Sequence, residues 1–384
     1  MADHPLLSEE SRALVAEVRR VAVDELDDPA GEARDAAGEF WQRGWDRCAE
    51  LGLCGLPVPA ELGGLGADRV TAAAVLEALG YGCSDAGLVF SVNAHLWSAV
   101  VPLWQFGSPE QRDRYLPLLC SGRWIGLHAM TEPASGSDAF SLATIARREG
   151  EDYLISGQKT LITNASNAKL LVVFARAPGT DGALGISAFL VEAGAEGVSV
   201  GAPMSKLGLR TSPLAEIALD EVRVGPEALL GREGRGAAVF SASMEWERLL
   251  IMAGQLGALD RALEEVAADL RAREGQASSA PFTLAASDKL VDVRVSLAAA
   301  RALMYETAWA YDHGLEGPAP AAAVKLLAAE TTLRSALDLY DLVDPLRCED
   351  ATGSARRLRD AVGAPLYSGT SQMMRRIIAR SMGL

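Results

Sequence analysis

The spacing of apolar residues changes twice along the chain. From residue 7 to about 122, apolar positions recur at helical intervals, as over 9–26 and 72–81. Glycine and proline interrupt them, most densely at 57–59 (PVP) and 63–66 (GGLG). Ser108, Pro109 and Gln111 mark a helix start: the serine caps, the proline suits the first turn, and the glutamine completes a capping box. From Trp124 to about Leu230 the runs shorten and become β-type, with YLI at 153–155, LLVVF at 170–174, ISAFLV at 186–191 and AEIAL at 215–219. After Gly236 helical spacing returns over 237–272, 284–313 and 319–342, long enough for a helix bundle. The pattern predicts a mostly α protein with a β domain in its middle. It divides into an N-terminal helical domain (1–123), a middle β domain (124–232) and a C-terminal helix bundle (233–384).

Composition narrows the function. The chain has 384 residues, of which 49% are hydrophobic, with no run of about 18 uncharged apolar residues, so no transmembrane span is expected. The acidic start does not resemble a secretory signal. A net charge of −15, from 36 basic and 51 acidic residues, argues against nucleic-acid binding. The five cysteines (Cys48, Cys54, Cys83, Cys120, Cys348) form no CxxC pair, and four scattered histidines give no metal-ligand spacing. The expectation is a reduced, cytoplasmic, metal-free protein, with His95 and His128 in the core or flanking a cofactor.

Three segments carry the candidate chemistry. Residues 130–138 (MTEPASGSD) form a turn in which Gly136 lets the backbone approach a ligand, Ser135 and Ser137 offer hydroxyls, and local amides suit an anion. Residues 157–164 (GQKTLITN) are a β-type run. Residues 366–375 (LYSGTSQMMR) are a glycine-bearing turn with capping hydroxyls before a short final helix.

In this order the three segments resemble the acyl-CoA dehydrogenase family, and the resemblance covers nearly the whole chain. It implies a middle β-barrel, a C-terminal four-helix bundle, and FAD between them. By resemblance, Met130 and Thr131 touch the isoalloxazine ring, and Gly136 and Ser137 lie near the FAD phosphates and the pantetheine arm. Leu161 and Thr163 lie beside the flavin, although many relatives carry Trp where Leu161 stands. Thr370 and Gln372 match the ribityl and adenosine side. Ser137, Arg248, Tyr367 and Ser368 are implied on the substrate side, with the Ser368 N–H donating to the thioester carbonyl.

The reaction implied needs a base for the proton α to a thioester while the flavin accepts the β hydride. Many members place a Glu before the C-terminal Gly-Thr; this chain has Ser368 there. The isovaleryl and long-chain types take the base from a C-terminal-domain helix instead, and residues 244–250 (MEWERLL) align Glu247 with it. Helical spacing puts Phe240, Met244, Ile251 and Gly254 on the face of Glu247, an apolar stripe that would raise its pKa. Glu245 lies roughly 200° around the helix. The alternative is that Glu247 pairs with Arg248 or Arg261.

The chain departs from the family pattern elsewhere. Residues 273–279 (REGQASS) lack the R-x-x-F-G turn, and 341–346 (DLVDPL) stand where relatives carry Q-x-x-G-G. Two carboxylates there oppose a pyrophosphate, which leaves the shared cofactor contact across a dimer, and the choice between homodimer and homotetramer, open. Arg356, Arg357 and Arg359 are expected as a solvated face, with a phosphopantetheine phosphate or an acidic carrier protein as the alternative. The expected function is FAD-dependent α,β-dehydrogenation of an acyl thioester of CoA or of a carrier protein, as in prolyl-carrier dehydrogenases of secondary metabolism. Electrons would pass to an electron-transferring flavoprotein or to oxygen. The alternatives are a related flavin monooxygenase or oxidase, and a redox-silent flavin-binding protein of the same fold.

Overall fold

A computed structural model describes residues 4–273, 280–343 and 353–384. The departures noted at 274–279 and 344–346 lie outside the described residues, as does Cys348.

The N-terminal part holds α1 (Glu9–Glu25), α2 (Gly31–Ala37), α3 (Gln42–Glu50), α4 (Arg69–Gly82), α5 (Ala86–His95), α6 (Val101–Phe106) and α7 (Pro109–Cys120). Side-chain oxygens set several starts: Ser8, Asp68 and Asp85 accept from backbone N–H groups of α1, α4 and α5. The capping box at Ser108 and Gln111 forms as its sequence predicts. Residues Leu96–Val100 make a π-helical turn that joins α5 to α6. The continuous Ala86–Phe106 stretch is long and apolar enough to cross a membrane by length and composition, yet 89% of its apolar window is buried inside the protein. It is the central core helix of this part.

The middle part is one eight-stranded sheet of β1 (Ile125–Ala129), β2 (Ile145–Glu149), β3 (Asp152–Thr163), β4 (Ala168–Arg176), β5 (Ile186–Glu192), β6 (Val198–Val200), β7 (Leu214–Val224) and β8 (Leu229–Leu230). Its order is β6-β7-β3-β2-β4-β5-β8, with β1 added parallel to β4. Alternation sends Ile155, Val173, Phe189 and Ile217 to one apolar cluster and Leu170, Val172, Phe174 and Leu190 to another. The second cluster also takes Leu103, Leu116 and Val239 from the helices, so the sheet shares a core with both helical parts.

The C-terminal part holds α8 (Gly236–Leu250), α9 (Ala253–Arg273), α10 (Ala280–Asp312), α11 (Pro318–Leu342), α12 (Ser354–Val362) and α13 (Ser371–Ser381). The single helix predicted over 237–272 is instead two, broken at Ile251 and Met252. The break falls where α9 meets α4 backbone to backbone: a Cβ at Gly80 would fall on the Gly254 carbonyl, and one at Gly257 on the Glu77 carbonyl. Gly254 therefore belongs to that contact and leaves the stripe expected around Glu247.

The arginine cluster of α12 is not a solvated face. Arg356 binds the Ser84 carbonyl at 2.9 Å and Glu32 at 3.3 Å, Arg357 binds Glu265 at 2.5 Å, and Arg359 binds Asp35 at 2.7 Å. Acidic partners on α2 hold Arg356 and Arg359 largely inward, while the Arg357–Glu265 pair stays partly exposed.

Candidate active site

The loop after β1 is held by a buried ion pair. Glu132 accepts from the Ala143 and Thr144 N–H groups at 2.5 and 3.1 Å and from Lys159 Nζ at 2.7 Å. Lys159, fully buried on β3, also donates to the Phe174 carbonyl at 2.7 Å and the Met130 carbonyl at 3.4 Å. The Thr160 N–H donates to the Thr131 carbonyl at 2.9 Å. Met130 and Thr131 are thereby fixed against β3. Burial lowers the Lys159 pKa to about 8 against the pull of Glu132. For Glu132 burial acts upward, but the Lys159 charge and three hydrogen bonds leave its pKa below the usual carboxylate value.

Farther along the loop Gly136 and Ser137 are exposed, while the Ser135 hydroxyl donates inward to the Asp138 carbonyl at 2.6 Å. Gly136 does not have a positive φ, and nothing lies within 4 Å of a Cβ built on it. The protein's own packing therefore does not require glycine there.

At the end of β3 the strand bulges between Lys159 and Ile162. Leu161, inside the bulge, has φ +55° and is 56% exposed. A left-handed leucine costs about 1–2 kcal/mol, and this one leaves more than half of its surface exposed. Thr163 pairs with Leu214, and Asn164, also left-handed, is anchored through its N–H to Pro213 at 2.7 Å and its side chain to the Ser91 carbonyl at 3.0 Å. Thr131, Leu161 and Thr163 thus belong to one locally pinned unit.

Helix α8 connects this unit to the C-terminal turn. Its Phe240 ring lies 5.6 Å from His128 and 6.2 Å from Phe140. Two turns on, about 10 Å along the axis, Glu247 reaches the turn before α13. It is 7% exposed, and Ser368 Oγ donates to its Oε1 at 2.6 Å. Oε2 is buried and has no hydrogen-bond partner among the described residues. Burial raises the Glu247 pKa; Ser368, Arg248 and Lys325 oppose that rise without cancelling it. Glu245 points elsewhere, 3.7 Å from Arg69. Arg261 binds Asp27 and Glu265, so the pairing of Glu247 with Arg261 does not occur.

Arg248 Nε lies 3.4 Å from the Ser368 carbonyl, and burial lowers its pKa. The Tyr367 ring packs 4.7 Å from Phe90, and its hydroxyl donates to Met252 Sδ at 3.3 Å. Thr370 caps α13 by accepting from the Met373 N–H at 3.2 Å. Gln372 is exposed one residue into that helix, and no hydrogen bond joins it to the other candidates.

Sequence reasoning missed Lys325, which is fully buried on α11 and donates to the Ala364 and Gly369 carbonyls at 2.9 and 2.8 Å. Burial and Arg248 lower its pKa to about 8. The signal was present: one lysine inside the apolar run 321–329 (AAAVKLLAA). The Glu132–Lys159 pair was equally visible as residues of two motifs, without a reason to join them. His95 is a core residue, as expected: Nδ1 accepts from the Gly126 N–H at 2.9 Å, which leaves Nε2 to donate to the Cys54 and Leu119 carbonyls at 3.2 Å. No group of metal-ligating side chains occurs among the described residues.

A flavin fits this surface. The exposed Leu161 offers an apolar face, Thr131, Ser137, Thr163 and Thr370 offer hydroxyls, and Gly136 opens the loop backbone. The buried Ser371 Oγ, at the foot of α13, has no partner in the described residues.

Comparison with known proteins agrees along the whole length. The acyl-CoA dehydrogenase N-terminal, middle and C-terminal domain families match residues 8–123, 128–222 and 234–383. An L-prolyl-[peptidyl-carrier protein] dehydrogenase of Pseudomonas fluorescens is 36% identical over 346 residues, 90% of this chain and 91% of that one. The solved prolyl acyl carrier protein oxidase AnaB superposes with a TM-score of 0.94 at 35% identity, covering 98% of this chain and 100% of that chain. PigA, solved with FAD and proline, superposes with a TM-score of 0.95 at 32% identity over 99% of both chains. Three consecutive domain matches and relatives aligned nearly end to end make the chain a member of the acyl-CoA dehydrogenase family, FAD-dependent oxidoreductases that act on the CH–CH bonds of acyl thioesters.

Proposed function

We propose that this enzyme removes the α proton and β hydride of an aminoacyl or acyl group held as a thioester on a carrier protein, with Glu247 as the base. The observation that carries the reaction is Glu247 itself: a buried carboxylate with one oxygen bonded to Ser368 and the other without a donor among the described residues. Burial shifts it toward the range in which a carboxylate both accepts a proton at neutral pH and releases it again.

FAD, when bound, supplies the hydride acceptor. Met130, Thr131, Gly136, Ser137, Leu161 and Thr163 would hold its ring and phosphate side, and Thr370 and Gln372 its ribityl and adenosine side. The Cα–H bond breaks toward Glu247, the electron pair becomes the Cα=Cβ bond, and the β hydrogen leaves as hydride. The Ser368 N–H would donate to the thioester carbonyl as negative charge develops there. Arg248 and Lys325, which bind the Ser368 and Gly369 carbonyls, would favour that charge from beside the turn, and Ser137 and Tyr367 would flank the thioester arm.

The carrier rests on the relatives. Two L-prolyl-[peptidyl-carrier protein] dehydrogenases, at 36% and 33% identity, match over at least nine-tenths of both chains. The acceptor divides them from AnaB, which is named an oxidase, while another solved relative at 29% identity belongs to work on an electron-transferring flavoprotein. The test is anaerobic titration of the flavin-loaded protein with L-prolyl thioester on a phosphopantetheinylated carrier protein and with a panel of acyl-CoA thioesters. Bleaching by the carrier thioester supports the proposal. Bleaching by a CoA ester alone reassigns the carrier, and no bleaching by either returns the monooxygenase and redox-silent readings. Reoxidation with oxygen or with an electron-transferring flavoprotein then identifies the acceptor.

A further inference from the structure

Ser368 occupies the position where many family members carry the base, and its backbone is unusual. Its φ is +56°, and Gly369 follows at +93°. Two successive left-handed residues turn the chain sharply before Thr370 caps α13. At φ +93° Gly369 holds a backbone conformation that side chains rarely adopt, and a Cβ there would also lie 2.7 Å from the Met374 methyl group, so the second position favours glycine. The first carries serine instead, which bears a conformational cost of about 1–2 kcal/mol that glycine would avoid. The turn is also held from below, since Lys325 donates to the Ala364 and Gly369 carbonyls on either side of it.

What the serine gains is the 2.6 Å hydrogen bond to Glu247 Oε1. We infer that Ser368 is a positioning residue for the base: its hydroxyl holds Oε1 and leaves Oε2 as the oxygen that takes the α proton. This rests on Glu247 being the base.

The geometry has a chemical consequence. A donor to a carboxylate stabilises the charged form, and among the groups facing Glu247 it opposes desolvation more than Arg248 on α8 or Lys325 on α11 does. The Tyr367 hydroxyl is engaged with Met252, and Glu245 is turned to Arg69. Deleting the hydroxyl therefore moves the carboxyl upward in pH and frees its rotation.

Two deletions separate the hydroxyl from the backbone. Ser368→Ala removes the oxygen and keeps the conformational cost; Ser368→Gly removes both. The first readout is an infrared pH titration of the flavin-loaded protein without substrate, with the Glu247 carboxyl band assigned by its loss in Glu247→Gln. The second is the pH dependence of flavin reduction by L-prolyl carrier thioester. Both variants are expected to raise the apparent pKa by roughly one unit, which makes reduction roughly tenfold slower below the transition, and to lower the plateau above it because the freed carboxylate loses its orientation. An unchanged carboxyl pKa in both variants overturns the inference, and so does a shift in Ser368→Ala that Ser368→Gly lacks. If Glu247→Gln instead reduces its flavin as fast as wild type, the base assignment fails, whatever the Ser368 variants do to the carboxyl band.

Discussion

Lys159 Nζ and Glu132 Oε1 lie 2.7 Å apart with both side chains buried, and the pair ties the loop that carries Met130 and Thr131 to the strand that carries Leu161 and Thr163. The charges matter less for net stability than for geometry, because a buried pair roughly offsets its own desolvation while a broken one does not. Lys159→Met is therefore expected to cost about 3–5 kcal/mol. Thermal unfolding measures the loss, and flavin fluorescence should show faster FAD release. Unchanged FAD retention in a folded variant would show that the pair does not position the loop.

Glu247→Gln is expected to slow flavin reduction by at least roughly 10²-fold while the protein stays yellow. The raised pKa of Glu247 adds a second outcome. A carboxyl raised on folding contributes stability that is present below its unfolded pKa and lost as pH rises through its folded pKa. The neutral amide escapes that loss, so the variant should melt no lower than wild type at neutral pH. Anaerobic stopped-flow absorbance and a melting curve check the two halves; full activity would reject the base.

Asp360 carries a pH dependence of its own. It accepts from the Leu209 N–H at 2.5 Å, and burial, with Asp35 and Asp85 nearby, pushes its pKa up from 3.8 to about 7. By the same sign, its contribution is complete below 3.8 and lost as pH rises through 7. Asp360→Asn keeps an acceptor for Leu209 and should flatten the fall in melting temperature across that interval. Parallel melting-temperature profiles for the two proteins would contradict this.

Leu161→Asp separates stability from cofactor binding. The side chain is 56% exposed, so the flavin-free protein should lose no more than about 0.5 kcal/mol. Losing an apolar contact of about 1.5–3 kcal/mol should weaken FAD binding roughly tenfold or more. Equilibrium dialysis with FAD measures it. Equal affinity would place the ring elsewhere.

Lys325→Met should leave the Ala364 and Gly369 carbonyls without their buried donor, at about 1–3 kcal/mol each. Because those carbonyls flank Ser368, flavin reduction should slow as well as the melting temperature fall. A variant that loses stability but reduces its flavin at the wild-type rate would confine Lys325 to a structural role.

Much was legible in the chain before its structure. The change from helical to alternating spacing and back marks the three parts, because periods of 3.6 and 2 are consequences of local backbone geometry. The capping box at Ser108 is likewise local: donor and acceptor lie three residues apart. Glu247 was singled out by its resemblance to the base position of the isovaleryl and long-chain types; of the stripe that helical spacing drew around it, Phe240 and Met244 share its helix, while Ile251 and Gly254 lie beyond its end. Glycine and serine in 130–138 and 366–375 announced turns without announcing what the turns hold.

Tertiary structure decided the rest. Sequence spacing could not join Ser368 to Glu247 across 121 residues, nor Lys159 to Glu132 across two motifs, nor place Arg356, Arg357 and Arg359 on acidic partners rather than in water. It also drew one helix where two exist, since the break at Ile251 answers to the glycine contact between α4 and α9. Local propensity is written in neighbours along the chain. Hydrogen bonds, ion pairs and the desolvation that shifts a pKa depend on which distant segments meet, and that is settled only when the shared core closes.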